Sequence, residues 1–377
     1  MAIFAETRTM IKWFKLSLAY FISLAGIGYL LYLIDFREFL AILPQLDGSL
    51  IGTAIFALAI GYGIRIYRWS MLISYSIESS PNTEMGLIPR LPTACRKPPI
   101  STLDCIAPLI GATALNNILP LRAGDWLRAF VFPANMNINN SLGKNEGISR
   151  AIGTATLIVE RWVDLWLLLF LLALALLFTP IAAHPLTLVI AIFLFCLACL
   201  LAAMLAYIEK AIPVIARGCC RYNARLKLKQ IDQFAAWLAS LSSTIHRLIQ
   251  PGIVWRFTYL SIGVWFAETL YFSTLIFALG FDLNLMQGLF IMALATLSTL
   301  IPSAPGFFGT FHLAAFYGMT QLGADQVTAT HYAFISHFLL WGSTTLAGLI
   351  AIACQPRLFN LMRHQPVNQS KIPSRPR

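Results

Sequence analysis

The chain has 377 residues, of which 58% are hydrophobic and 11% are charged, and its mean hydropathy is +0.73. Soluble domains carry about a quarter charged residues, so this composition excludes a soluble protein and predicts an all-α polytopic membrane protein. Apolar runs and their connectors occupy nearly the whole length, so we expect a single membrane domain over residues 1–377. The formal net charge of +11 favours acidic lipid surfaces as partners. No motif indicates a nucleic-acid partner, a cofactor or a metal site, and we predict none of them.

The first two apolar runs predict two spans. The run at 16–34 lacks the small-residue cleavage site of a signal peptide, so we predict that it stays in place. The run at about 50–64 ends in Arg65 and Arg68, which suit a membrane interface. Five prolines then predict a loop over 78–100.

The next apolar piece, at about 105–119, is shorter than the roughly 20 residues that a helix needs to cross the hydrocarbon. It ends in carboxamide, proline, glycine and charged residues, namely Asn116, Asn117, Pro120, Arg122, Gly124, Asp125 and Arg128. Irregular backbone survives at membrane depth only beside protein or a water-filled cavity. We therefore predict a broken re-entrant hairpin at about 103–128 that carries a binding site.

Later apolar runs predict four more spans, at about 163–178, 186–208, 257–281 and 333–354. Between the last two, the segment 285–322 is interrupted by residues that break a helix, namely Pro302, Pro305, Gly306 and Gly309. This interruption predicts a second broken re-entrant hairpin.

The distribution of basic residues predicts how these segments thread the membrane, because short basic loops stay cytoplasmic. With six spans, two re-entrant hairpins and both termini inside, the outside connectors contain one basic residue, Arg37. The connector 209–252 contains seven and lies inside, as does the basic tail 355–377. A single crossing by 105–119 would place the seven-basic connector outside, so we reject that threading.

Apolar residues recur at three- and four-residue steps within 226–250, which predicts an amphipathic cytoplasmic helix. One interpretation is a helix that packs on the cytoplasmic ends of the spans. The other is an interfacial helix that contacts anionic headgroups.

Charged residues within the apolar segments mark further candidate positions. Glu160, Arg161 and Asp164 stand at the head of the third span, with both carboxylates on one helix face. They suit a structural ion-pair cluster as well as a functional one. Glu268 lies near the middle of an apolar span, where an ionisable residue indicates a functional site.

Three motifs together resemble those of a known family. They are N-x-x-P-x-R-x-G-D-x-x-R from Asn117 to Arg128, E-R-x-x-D from Glu160 to Asp164, and P-x-x-P-G-x-x-G from Pro302 to Gly309. In order and spacing they resemble the flippase-like family, also called the lysylphosphatidylglycerol synthase transmembrane-region family, over about 65–354.

The resemblance implies a lipid flippase of the bacterial cytoplasmic membrane that moves an anionic phospholipid or a polyprenyl-linked lipid from the inner to the outer leaflet. In the multiple peptide resistance factor branch, an aminoacyl-transferase domain follows the membrane domain. Here the chain stops soon after the last predicted span, so we do not expect that activity. A separate lipid-synthesising enzyme is the expected partner, and the sequence does not predict the oligomeric state.

The two hairpins suggest how such a site works. Half-helix ends in one midplane cavity would attract a phosphate through their backbone amides, and Arg122 and Arg128 would pair with it. Asp125 and His312 stand where the family usually has glutamate. A histidine at position 312 either titrates near neutral pH or is simply hydrogen-bonded.

Two other functions stay open at this point. The first is a polyprenyl-phosphate-dependent membrane glycosyltransferase, with Asp35, Glu38 and Asp47 of the first outside loop as its carboxylates. The second is an accessory subunit of a lipid-modifying enzyme, which would need none of the buried charges.

Overall fold

The structure is a computed structural model that describes residues 21, 23–78, 100–133, 148–179, 181, 185–226, 229–282, 284–301 and 303–355. The described chain is helical and contains no strand, which confirms the all-α prediction. The helices are α1 (Ser23–Leu33), α2 (Phe36–Ile42), α3 (Gly48–Glu78), α4 (Ile106–Ile118), α5 (Ala123–Trp126), α6 (Arg150–Leu177), α7 (Pro185–Leu226), α8 (Lys229–Leu248), α9 (Pro251–Ala278), α10 (Leu285–Ser298), α11 (Thr310–Gln321) and α12 (Gln326–Ala353).

Among the described residues, four helical segments are long and apolar enough to cross a bilayer: α3, Pro185–Met204 of α7, α9 and α12. The predicted spans at 16–34 and 163–178 correspond to α1 and α6. The structure thus supports a multi-pass membrane protein. The number of crossings, the two re-entrant turns and the orientation of the termini stay predictions.

Three helices extend well beyond the predicted spans. Helix α3 does not end near residue 64 but continues to Glu78, α6 begins at Arg150 rather than near residue 163, and α7 continues past residue 208 to Leu226. Arg65 and Arg68 are therefore inside a helix and packed in the protein rather than at its interface end. The helix continues past these charges because carboxylates on other helices compensate them. The predicted loop at 78–100 lies almost wholly outside the described residues.

The first predicted break is present. Helix α4 ends at Ile118, Leu119 is extended, and Pro120 begins a 3-10 turn that ends at Arg122. Arg122 adopts a left-handed conformation with φ of 54°, after which α5 starts and runs into a π-helical turn over Leu127–Val131. Proline has no N–H to continue the ladder of α4, which accounts for the position of the break.

The second predicted break lies between α10 and α11. A 3-10 turn over Pro305–Phe307 occupies it, and Phe307 has a positive φ of 62°. Gly309 has a φ of 89°, and a Cβ there would lie 2.2 Å from the Ser23 carbonyl oxygen. This position therefore requires glycine both for its conformation and for the close approach of α1. Pro302 lies outside the described residues.

Close packing of α4 on α12 positions the first break. A Cβ at Gly348 would lie 2.5 Å from the Ala114 Cβ and from the Ile110 carbonyl oxygen, so this glycine lets the two helices approach closely. The Asn117 amide then donates to the hydroxyls of Thr344 and Thr345 at 3.0 and 2.9 Å. The end of α4 is thereby fixed against α12.

Helix α8 corresponds to the predicted amphipathic segment. Its buried residues Ala235, Leu241, Ile245 and Leu248 face the body of the protein. Leu241, Ile245 and Leu248 join an apolar cluster that includes Val159 of α6 and Phe257 of α9. Packing on neighbouring helices thus accounts for its apolar side, and its cytoplasmic location stays a prediction.

Candidate functional site

A buried ion-pair network joins α3 to α6. The Arg68 guanidinium donates to both carboxylate oxygens of Asp164, at 2.6 and 2.8 Å, in the bidentate geometry that guanidinium groups favour. It also donates to Ser261 Oγ of α9 at 2.7 Å, and Glu160 lies 3.3 Å away. The Arg68 side chain is completely shielded from solvent. Glu160 and Asp164 thus share a basic partner, as their spacing on α6 suggested.

Arg128 belongs to the same network. Its guanidinium donates to Glu160 and lies 5.1 Å from the ring centroid of Trp69. Only 5% of its side chain is exposed. Glu160 therefore bridges Arg68 and Arg128. The two arginines and the two carboxylates of Glu160 and Asp164 form a sealed network without net charge.

A second group forms around Asp125. Its carboxylate lies 2.8 Å from Arg161 Nη2 and 3.4 Å from Arg122 Nε. Asn116 donates to the carboxylate, and the Asp125 backbone N–H donates back to Asn116 Oδ1, both at 3.1 Å. Asp125 thus orients the guanidinium groups of Arg122 and Arg161. Arg128, which the sequence suggested as the second phosphate-binding arginine, is instead held by Glu160 of α6.

Gly124 explains how Asn116 reaches Asp125. A Cβ at Gly124 would lie 1.9 Å from the Ala112 carbonyl oxygen, so only glycine lets α5 pack this closely on α4. The motif glycine therefore shapes the Asp125 group without contributing a side chain.

Glu268 has a partly buried partner that the sequence did not indicate. Arg65 of α3 donates to its carboxylate, and the guanidinium lies 4.9 Å from the Trp265 ring centroid. The side chains are 15% and 10% exposed. An ionisable residue in mid-span is thus compensated by a charge on the neighbouring helix.

These charged groups surround one cavity of about 170 Å³ between the two breaks. Its charged lining consists of Arg65, Arg122, Arg161, Asp164 and Glu268, and its polar lining includes Asn116, Asn117, Thr296, His337 and Thr344. The Arg122 and Arg161 side chains are 32% and 36% exposed, in contrast to the sealed Arg68 and Arg128. The most exposed cations of the cavity lining are therefore Arg122 and Arg161.

The two breaks touch each other beside this cavity. The Arg122 guanidinium lies 5.6 Å from the ring centroid of Phe307, and both residues have positive φ. Such backbone conformations cost about 1–3 kcal/mol each in residues other than glycine and cluster at functional sites. A Cβ at Gly306 would lie 2.9 Å from the Asn117 carbonyl oxygen and 2.8 Å from Trp341 Nε1. The motif glycine thus permits the contact between the breaks.

Two buried histidines belong to the second break. The Gly309 N–H donates to Nδ1 of His312 at 3.4 Å, and His337 Nε2 donates to the Gly306 carbonyl oxygen at 2.9 Å. Their ring centroids are 4.4 Å apart. His312 is hydrogen-bonded to the backbone of the break and is not among the residues that line the cavity, whereas His337 is. Sequence reasoning missed His337 because it stands in an ordinary helix with no motif around it.

The predicted site residues therefore divide by position. Asn116, Asn117, Arg122, Arg161, Asp164 and Glu268 line the cavity, whereas Arg128 and Glu160 are sealed in the network behind it. Pro120 shapes the first break, and Pro305, Gly306, Gly309 and His312 shape the second. Sequence reasoning missed Arg65 and Arg68 as members of the site.

The fold and this site define a polytopic helical membrane protein with an arginine-lined cavity between two helix breaks. Residues 16–348 match the family described as Lysylphosphatidylglycerol synthase TM region, and the chain belongs to that family. The match spans all three motifs and places the protein among membrane proteins with lipid-related functions. Comparison with curated proteins and with solved structures gave no match.

Proposed function

We propose that the protein is a lipid flippase that carries an anionic headgroup from the inner to the outer leaflet of the bacterial cytoplasmic membrane. The observation that carries this proposal is the pair of accessible guanidiniums, Arg122 and Arg161, in a cavity formed by apolar helices. Ionisable groups at such positions mark substrate pathways in membrane proteins. Broken helices that meet near one site are also typical of transporters.

The size of the cavity suits the headgroup alone. Pockets for drug-sized ligands have volumes of about 300–1,000 Å³, so a cavity of about 170 Å³ takes a phosphate with a small alcohol. The outward faces of the long helices expose large apolar side chains, such as Phe56, Phe266 and Phe338. The acyl chains would stay in the bilayer against such surfaces while the phosphate crosses on Arg122 and Arg161.

Two of the three carboxylates considered for glycosyl transfer, Asp35 and Asp47, have other partners. Asp35 accepts hydrogen bonds from the backbone N–H groups of Arg37 and Glu38 at the start of α2. Asp47 accepts one from the backbone N–H of Ser49, and hydrogen bonds from this serine lower the pKa of Asp47 below its ordinary value. Both residues act as helix caps, so no observation favours glycosyl transfer over lipid transport.

The proposal is tested with proteoliposomes that contain a fluorescent anionic phospholipid, by measuring the fraction of fluorophore accessible to an external quencher over time. Arg122→Lys and Arg161→Lys keep the charge but lose the planar fork that grips a phosphate, so we expect a folded protein with slower transport. Arg256→Lys, at an exposed position outside the cavity, is the matched control and should transport like the parent.

Two results would overturn the proposal. One is a parent protein that moves no lipid of any class tested. The other is transport at the parent rate by both cavity variants. The second result would also favour the accessory-subunit hypothesis, which does not need these arginines.

A further inference from the structure

The charges around the cavity do not balance. In the part of the chain that the structure describes, the ion pairs join five arginines to four carboxylates, namely Arg65, Arg68, Arg122, Arg128 and Arg161 with Asp125, Glu160, Asp164 and Glu268. Guanidinium groups stay protonated in proteins. With all four carboxylates ionised, the site therefore carries one surplus positive charge.

The surplus is confined to one place. Arg68 and Arg128 are matched by Glu160 and Asp164, and Arg65 is matched by Glu268. Arg122 and Arg161, in contrast, share the single carboxylate of Asp125. The uncompensated charge thus belongs to the two arginines that are most accessible from the cavity.

Arg161 also retains an unused donor, because its Nε atom is buried and has no hydrogen-bond partner. The Arg122 Nε atom faces only the carboxylate that Arg161 shares, at 3.4 Å from Asp125. A buried donor without an acceptor is costly, and a surplus charge on side chains that are only 32% and 36% exposed is incompletely hydrated. An oxyanion placed between the two groups would remove both costs.

We infer that the cavity selects a lipid whose headgroup carries one net negative charge on a phosphodiester, as in a glycerophospholipid with an uncharged alcohol. This inference rests on the proposed transport function and adds the charge class of its substrate. One negative charge neutralises the surplus. The phosphodiester offers two free oxygens that can accept from both guanidinium groups.

Other headgroup classes fit this charge pattern less well. A zwitterionic headgroup brings an ammonium group, but Glu268 and Asp125 are already paired with arginines. A dianionic phosphomonoester or a diphosphate brings at least one negative charge more than the surplus. Either class would leave an uncompensated charge in the cavity, which is unfavourable in an apolar medium.

Variants that change the surplus provide the test. Arg122→Gln and Arg161→Gln each remove it, whereas Asp125→Asn increases it by one charge. Transport is measured in proteoliposomes for three fluorescent lipids with the same acyl chains and with glycerol, choline or no alcohol on the phosphate. The lipid with no alcohol is tested at alkaline pH, where its phosphomonoester carries two charges.

We expect the parent to prefer the glycerol headgroup to the other two by about tenfold or more, the value of one charge-assisted hydrogen bond. Both glutamine variants should bring the glycerol and choline lipids towards equal rates. Asp125→Asn should shift the preference towards the phosphomonoester. Arg256→Gln, the matched control, should keep the order of the parent because this residue is not part of the cavity lining.

The outcomes separate the two claims. If the parent moves no lipid, the transport function and this inference both fail. If the parent moves lipids without a preference for the monoanion, or if both glutamine variants keep its preference, transport stands and the charge inference fails. The two glutamine variants test the charge inference even if Asp125→Asn does not fold, because each removes one of the two arginines that share the surplus positive charge.

Discussion

Glu160 is the residue on which the sealed network depends, and Glu160→Gln is the sharpest test of it. The change leaves Arg68 and Arg128, which are 0% and 5% exposed, with only the carboxylate of Asp164. Removing one partner from a buried ion pair destabilises proteins by about 3–5 kcal/mol. We expect a loss of this size in the free energy of unfolding.

A double substitution distinguishes an unpaired charge from lost packing. In the variant with both Arg128→Met and Glu160→Met, two apolar side chains replace the pair that these residues form. Replacing a buried pair in this way is often neutral, so the double variant should lose less stability than the two single methionine variants together. The coupling energy for neighbours of this kind is about 0.5–3 kcal/mol.

The assay is unfolding of the purified protein in detergent, followed by tryptophan fluorescence because Trp69 packs on Arg128. Glu78→Gln is the matched control, since Glu78 is exposed at the end of α3 and surface changes cost within about 0.5 kcal/mol. A loss for Glu160→Gln no larger than that of the control would refute the sealed network.

Three further changes test other parts of the structure. Gly124→Ala should lower the yield of folded protein, because its Cβ would lie 1.9 Å from the Ala112 carbonyl oxygen. Gly63→Ala, whose Cβ would have nothing within 4 Å, is the control and should not lower it. Equal yields of the two variants would disprove the close approach of α4 and α5. Glu268→Gln leaves Arg65 without its carboxylate at the cavity wall, so we expect a folded protein with slower lipid transport. A transport rate equal to that of the parent would give Glu268 a purely structural role. Cysteine labels at positions 182, 283 and 325 should react from outside and those at 90, 140, 223 and 370 should not; external labelling at 223 would disprove the predicted threading.

The sequence predicted the breaks well because their causes are local. Proline and glycine act on their own backbone, so Pro120 and Gly309 marked where helices end and begin. The spacing of Glu160 and Asp164 likewise fixed their common face on α6. Such inferences need no knowledge of which helices are neighbours.

The partners of these charges depend on tertiary packing and were not predictable in the same way. Arg68 pairs with a carboxylate 96 positions further along the chain, and Arg65 with one 203 positions further along. From the sequence, both arginines looked like ordinary interface residues at the end of an apolar run. Because tertiary packing cannot be read from the sequence, Arg128 rather than Arg161 was predicted to be the second phosphate-binding cation of the site.

The contact between the two breaks bears on the kinetics of the proposed transport. The Trp341 indole N–H donates to the Asn117 carbonyl oxygen at 3.3 Å, and Gly306 lies against both groups. A rearrangement at the end of α4 therefore displaces the turn before α11, and the reverse is also true. We expect the two segments to rearrange in a single concerted step, so that the cavity changes the side to which it opens with one activation barrier and a single-exponential time course.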